Sequence, residues 1–110
     1  MKQRYLLILS TIFFLGTGTA SADPWSGMAE ITSVYPHSGG LVFNTTYTNE
    51  NLSSCDNGKR FSISKSHPNY ETLVSTMLSA FMSAKKINFN IDSNQQLQCQ
   101  PTINRFIMVK

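Results

Sequence analysis

Short runs of alternating apolar and polar residues recur along the chain, and each predicts a β-strand with one buried face. The alternation is clearest in 41–47, where Leu41, Phe43, Thr45 and Tyr47 share one face, and it returns in 87–91. Two glycines precede residue 41, so the first two strands are predicted to form a hairpin, with Pro36 ending the first strand. The predicted strands are 28–36, 41–49, 60–64, 87–91 and 102–109.

One segment has helical spacing instead. Between residues 65 and 86, apolar side chains recur at i, i+3, i+4 and i+7, which predicts a helix with one apolar face. Ser66 or Asn69 is expected to cap its start, and Lys85 and Lys86 lie at the end where positive charge is favourable. The predicted apolar face consists of Tyr70, Leu73, Val74, Met77, Ala80, Phe81 and Ala84.

The predicted element order is β-β-β-α-β-β, a mainly β domain with one helix. Five short strands with a helix between the third and fourth is the order of an OB-fold, a five-stranded barrel, with the helix capping one open end. The alternative is an open α+β sandwich with the same helix packed on one face of a sheet.

The N-terminal residues have the pattern of a secretory signal peptide. Lys2 and Arg4 precede an apolar run at 5–15, and small residues occupy 20–22. This pattern predicts export, either to the periplasm or to the medium, with cleavage after Ala22. The apolar run is too short to cross a membrane comfortably. We therefore expect 1–22 to be removed and 23–110 to form a single OB-fold-like domain without membrane insertion.

The predicted cleavage also changes the electrostatic character of the protein. The full chain carries a formal net charge of +3, which falls by two when Lys2 and Arg4 are removed. A domain this close to neutrality lacks the broad positive field that binds phosphate backbones. Nucleic acid is therefore not an expected partner.

The two cysteines, Cys55 and Cys99, both remain after the predicted cleavage. A zinc site would need four ligands, and only His37 and His67 could complete it, without the close pairing that zinc sites show. A catalytic thiolate would need a neighbouring base, which the local sequence does not offer. A disulfide is favoured over a free thiol, a metal site or an intermolecular bond, and it would contribute roughly 4 kcal/mol to the stability of so small a domain.

Several short features occur together along residues 23–110. They are Trp25-Ser26-Gly27, the strand at 29–34, Gly40 before Phe43, Cys55, Ser64 ahead of a helix with Leu73, Leu78 and Ala80, and 85–91. In this combination the chain resembles the B subunit of subtilase cytotoxin and its pertussis-like relatives. The resemblance implies an exported OB-fold that assembles as a pentamer and binds host glycans. No sugar-contacting residue of that family matches this chain position by position, so none is assigned from it.

The sequence does not predict an enzyme, a metal centre or a cofactor site. Its acidic residues fall mainly in predicted turns and ends, and no G-x-S-x-G, P-loop or H-E-x-x-H motif occurs. The candidate ligand-binding residues are Trp25, Tyr35, His37 and Tyr47, because flat amphipathic rings stack on sugars or anchor protein interfaces. The competing interpretation places Tyr47 in the core and makes Trp25 an anchor for the N-terminal segment.

Two kinds of partner fit this composition. The Ser-, Thr- and Asn-rich surface around 45–54 is compatible with a glycan. The alternative is a secreted or envelope protein that binds another exported protein as a structural or inhibitory partner. Uncharged surfaces at Phe106, Met108 and the outer side of the helix also suggest self-association into a homo-oligomer, a pentamer by the resemblance.

Overall fold

The computed structural model describes residues 22–110, so the predicted signal peptide lies outside the described residues except for Ala22. Five strands and one α-helix follow one another in the predicted order. Among the described residues, no helix is long and apolar enough to cross a membrane. The elements are β1 (Ala29–His37), β2 (Gly40–Thr45), β3 (Arg60–Ser64), α1 (Tyr70–Met82), β4 (Lys86–Ile91) and β5 (Ile103–Val109), with a 3₁₀ turn at Asp56–Gly58.

All five strands belong to one antiparallel sheet in the order β3-β2-β1-β4-β5. Strand β1 joins the two halves of this sheet. From Ile31 onward it pairs with β2, whereas Ala29 and Glu30 pair with β4. Strand β1 changes its neighbour between Glu30 and Ile31, and a register shift in its pairing with β2 follows between Ile31 and Ser33. The preceding residues continue along β4, since Trp25 forms a bridge with Asn90.

The outer strands β3 and β5 approach each other without forming a continuous ladder. Ser62 and Thr102 form one parallel bridge, and the Ser62 amide donates to the Pro101 carbonyl over 2.9 Å. The sheet is therefore not closed into a barrel. The mainly β architecture with a single helix is confirmed at this level.

The core lies between the inner face of the sheet and α1. Three phenylalanines from different strands form its centre, with ring centroids 5.1–6.2 Å apart. Helix α1 contributes Met77 and Ala80, both completely buried, from the predicted apolar face. Asn69 is the N-cap residue, although its side chain makes no capping hydrogen bond. The buried cluster is Ala29, Leu41, Phe43, Phe61, Ile63, Met77, Ala80, Ile87, Phe89, Ile91 and Ile103.

Three predicted boundaries are wrong. Strand β1 continues through Pro36 to His37, which is possible because this end of β1 has a strand neighbour on one side only. Strand β2 ends at Thr45, where the Thr45 hydroxyl binds the backbone of Tyr47 and turns the chain away. Ala84 lies beyond the helix, exposed and with a φ of 56°, so it is not part of the apolar face.

Strand β5 does not alternate regularly at its first residue. Ile103 is buried and pairs with Ile91, although a regular strand would place it with the outward-facing Arg105. A register shift between Asn90 and Ile91 accounts for this, because one extra residue in a strand reverses the side chain's direction. The side chain of the extra residue, Asn104, donates to the side chain of Asn90 over 2.7 Å.

Candidate functional site

The candidate site lies on the outer face of the β1–β2–β3 half of the sheet. Tyr35 pairs with Val42, and Val42 pairs with Ser62, so these three side chains form one row across the strands. The residues that flank them on β2 and β3 point into the core, which directs this row outward. Val42 and Ser62 are themselves buried, so the accessible side chains here are those of Tyr35, His37 and the half-buried Gln100. We call the surface that these three form above Val42 and Ser62 the β2–β3 outer face.

His37 lies on the same side of β1 as Tyr35, at the start of the hairpin turn. Its Nδ1 accepts a hydrogen bond from the Gly39 amide over 3.1 Å, and the side-chain nitrogen of Gln100 lies 3.5 Å from the same atom. Gln100 belongs to the loop between β4 and β5, and Ser62 Oγ donates to its carbonyl over 2.8 Å. The imidazole Nε2 has no hydrogen-bond partner among residues 22–110. Because Nδ1 accepts from Gly39, Nε2 of the neutral ring carries the hydrogen and could donate to an oxygen of a ligand.

Gly40 fixes the position of this hairpin. Its φ is +147°, and a Cβ added there would lie 2.0 Å from the carbonyl oxygen of Ile63. Strand β2 can therefore approach β3 this closely only with glycine at position 40. Because His37 pairs with Gly40, the close approach also sets where the imidazole lies.

A second group on the same side of the sheet holds the only ion pair found within 22–110. Arg60 Nε donates to Asp56 Oδ2 over 2.8 Å, and Asn44 Nδ2 donates to the same oxygen over 2.6 Å. Hydrogen bonds from Asn44 and then Arg60 hold the pKa of Asp56 below its usual value. Arg60 Nη1 also donates to Cys99 Sγ over 3.2 Å. We call Asn44, Asp56, Arg60 and Cys99 the Arg60 cluster.

The disulfide between Cys55 and Cys99 is present, as predicted, with the two Cα atoms 4.7 Å apart. Backbone hydrogen bonds join the same two loops, from Ser54 to Gln98 over 2.9 Å and from Gln98 to Leu52 over 3.0 Å. The loop between β4 and β5 is therefore held both covalently and by hydrogen bonds. This loop carries Gln100 to the β2–β3 outer face.

Trp25 lies on the other half of the sheet, apart from Tyr35 and His37. Its side chain is 39 % exposed, close to the 37 % of Tyr35. The guanidinium carbon of Arg105 lies 5.3 Å from the ring centroid, within the range of a cation–π contact. Its backbone bridges to Asn90 on β4, so Trp25 also fixes the N-terminal segment to the sheet.

The beginning of this segment is held by Asp23. The carboxylate accepts hydrogen bonds from the Ser93 hydroxyl, from the Ser93 amide over 3.0 Å and from Asn104 Nδ2 over 3.0 Å. The Ser93 hydrogen bonds are the main cause that lowers the pKa of Asp23. These contacts join the N-terminal segment to the β4–β5 hairpin, on the side of Trp25.

Tyr47 is half-buried and packs against the core. Its ring centroid is 5.6 Å from that of Phe89 and 6.0 Å from that of Phe61. Its hydroxyl accepts from Asn49 Nδ2 over 3.2 Å. Of the four candidate ligand-binding residues, the structure thus brings Tyr35 and His37 onto one surface. Trp25 lies on the other half of the sheet, and Tyr47 packs against the core.

Sequence reasoning missed Gln100 and Arg60 as members of the site. Gln100 follows Cys99 directly, so the predicted disulfide could have drawn attention to it. Arg60 opens the predicted third strand and gave no separate signal. Within the described part of the chain, no group of three or more His, Cys, Asp or Glu side chains converges as metal ligands would. Comparison of the chain with protein-family models, curated proteins and solved structures finds no match.

Proposed function

We propose that this protein is an exported, non-enzymatic binding module with a partly open OB-fold barrel. The strand order, the helix between β3 and β4, and the parallel approach of β5 to β3 at Ser62 and Thr102 support the OB-fold assignment. The signal-peptide pattern at 1–22 supports export, and the disulfide fits an oxidising compartment.

The proposed ligand is an uncharged polar glycan bound on the β2–β3 outer face. The observation that carries this proposal is the juxtaposition of Tyr35 and His37, both from β1, with Gln100 from the β4–β5 loop. OB-folds bind oligosaccharides and oligonucleotides on the face of strands 2 and 3 and its flanking loops. An exposed tyrosine ring can stack on a sugar, while the imidazole and the amide hydrogen-bond to its hydroxyls.

A glycan array tests this proposal, with the full chain expressed with its own leader and collected in oxidised form. We expect Tyr35→Ala to reduce binding about tenfold or more, because a stacked ring contributes an anchor that alanine lacks. Trp25→Ala is the matched control, since the two rings are equally exposed and lie on different halves of the sheet. Loss of binding in Trp25→Ala with retention in Tyr35→Ala would contradict the proposed surface.

The second candidate function is binding to another protein, either an exported partner or further copies of this chain. It is favoured by the last strand, where Ile107 is 53 % exposed and Met108 is 42 % exposed on opposite faces. Strand edges with apolar side chains on both faces are ready sites for pairing with another chain. A silent glycan array with a co-purifying polypeptide would favour a different partner, and a pentameric native mass would favour self-assembly as in the toxin-like ring.

A further inference from the structure

The disulfide has unequal surroundings at its two sulfur atoms. Cys99 Sγ accepts a hydrogen bond from Arg60 Nη1 over 3.2 Å. Cys55 Sγ has no such donor among the described residues, and Cys55 is followed directly by the carboxylate of Asp56. Both cysteines are half-buried, so neither lies in the closed core.

Arg60 is held in place for this contact. Its Nε is bound to Asp56 Oδ2, which also accepts from Asn44, and the Ser53 hydroxyl donates to the Arg60 backbone carbonyl over 2.8 Å. The guanidinium therefore does not need to reorganise when charge develops on the sulfur of Cys99. Hydrogen bonds to a charged group are about twice as strong as those between neutral groups, so this contact becomes stronger as a thiolate forms.

We propose that the Cys55–Cys99 bond is a directional site of thiol–disulfide exchange, opened by attack at Cys55 with Cys99 leaving as a thiolate bound to Arg60. In the first step a thiolate of the reductant attacks Cys55 Sγ and forms a mixed disulfide there. The Cys55–Cys99 bond breaks, and its electron pair leaves with Cys99 Sγ. A second thiolate then attacks the sulfur of the reductant and forms the reductant's disulfide. Cys55 leaves as a thiolate and takes a proton from water.

The direction follows from the general rule that the sulfur with the lower thiol pKa is the better leaving group. Attack at Cys99 would instead release a thiolate at Cys55, which precedes the acidic Asp56 in sequence and accepts no hydrogen bond from the guanidinium. Because Asp56 shares the charge of Arg60 and both side chains are partly exposed, we expect a preference of about fivefold to tenfold and not a larger one. This inference is independent of the glycan proposed above.

The test uses the oxidised full-chain product and glutathione as the reductant. After brief exposure in the presence of an alkylating agent, peptide mass spectrometry locates the glutathione and the alkyl group. We expect glutathione on Cys55 and alkylation on Cys99 in about fivefold excess over the reverse pattern. Equal labelling, glutathione mainly on Cys99, or no mixed disulfide in the folded protein would overturn the proposal.

Two variants test the role assigned to Arg60. Arg60→Met should slow the opening of the disulfide about fivefold and remove the preference for Cys55. Lys59→Met is the matched control, because it removes the same charge from the neighbouring position and should leave both quantities unchanged. A preference that survives in Arg60→Met, or is lost equally in Lys59→Met, would overturn the role of Arg60. If Arg60→Met does not fold, the labelling of the unaltered protein still decides the direction of attack.

Discussion

Removal of the disulfide by the double substitution Cys55→Ala and Cys99→Ala should lower the free energy of unfolding by about 4 kcal/mol. The bond joins positions 44 residues apart. In the chain-entropy model, a closed loop of this length removes about 13 cal/mol/K of conformational entropy from the unfolded chain, which corresponds to about 4 kcal/mol at 25 °C. For a small domain with a total stability of about 5–15 kcal/mol, this is a large share.

The structure indicates that most of this loss arises in the unfolded state. The hydrogen bonds between Ser54 and Gln98, and from Gln98 to Leu52, join the two loops without involving the sulfur atoms. The folded variant should therefore keep these loops together, while its unfolded chain gains the freedom that the bond had removed.

Urea unfolding of the oxidised protein and of the double variant measures this difference. The variant should also show a larger m-value, because an unlinked unfolded chain exposes more surface to the denaturant. Reduced and alkylated protein is not a suitable control, since the added groups would crowd the half-buried site. A loss below about 1 kcal/mol with an unchanged m-value would refute the loop-entropy reasoning.

Two further substitutions test the local geometry. Asn44 and Arg60 hold the pKa of Asp56 below its usual 3.8. The stability that this carboxylate contributes is therefore present above pH 3.8 and lost as the pH falls through its lower folded-state pKa. In urea titrations at pH 7, we expect Asp56→Asn to be less stable than the unaltered protein. Below pH 3.8 the stabilities of the two proteins should converge. Equal urea midpoints at pH 7 would contradict this. Gly40→Ala should lower the free energy of unfolding by about 3 kcal/mol, because the added Cβ would lie 2.0 Å from a carbonyl oxygen of β3. Gly39→Ala is the control, since the atom nearest to its added Cβ is 3.7 Å away. In thermal unfolding it should lower the free energy of unfolding by less than about 0.5 kcal/mol.

The element order could be predicted because alternation along a strand reports directly which side chains are buried. Phe43, Phe61 and Phe89 each occupy the apolar side of a predicted strand, and all three are completely buried in one cluster. The helix could be predicted in the same way, from apolar residues that recur every three or four positions. Met77, on the predicted apolar face, lies in that cluster. Where local sequence and burial agree in this way, no knowledge of distant residues is needed.

The wrong details depend on contacts between distant parts of the chain. Ile103 is buried because a register shift beside Asn104 reverses the alternation, and Asn104 is held by Asp23, 81 residues away in sequence. The end of β2 at Thr45 depends on a side chain that binds its own backbone in place of continuing the ladder. A period-2 pattern contains neither kind of information.

The candidate site could be predicted residue by residue but not as a surface. The flat rings of Tyr35 and His37 predict that these residues bind a ligand. The same reasoning applies to Trp25, which the structure places on the other half of the sheet. The pairing of the strands separates Tyr35 from Trp25, since only the part of β1 from Ile31 onward lies beside β2. Gln100 reaches His37 because its loop is fixed to β3 at Ser62.

The loop between β4 and β5 carries both Cys99, which belongs to the proposed exchange site, and Gln100, which belongs to the proposed glycan surface. The two proposals nevertheless make different predictions. Reduction of the disulfide would remove the covalent link at Cys99, but the hydrogen bonds of Gln98 and Ser62 would still hold the loop against its neighbours. The side chain of Gln100 should therefore stay near His37 in the reduced protein. Ligand binding on the β2–β3 outer face should accordingly change little on reduction, whereas Tyr35→Ala should weaken it about tenfold or more in both redox states. The surface and the disulfide are thus separable by experiment, even though they share one loop.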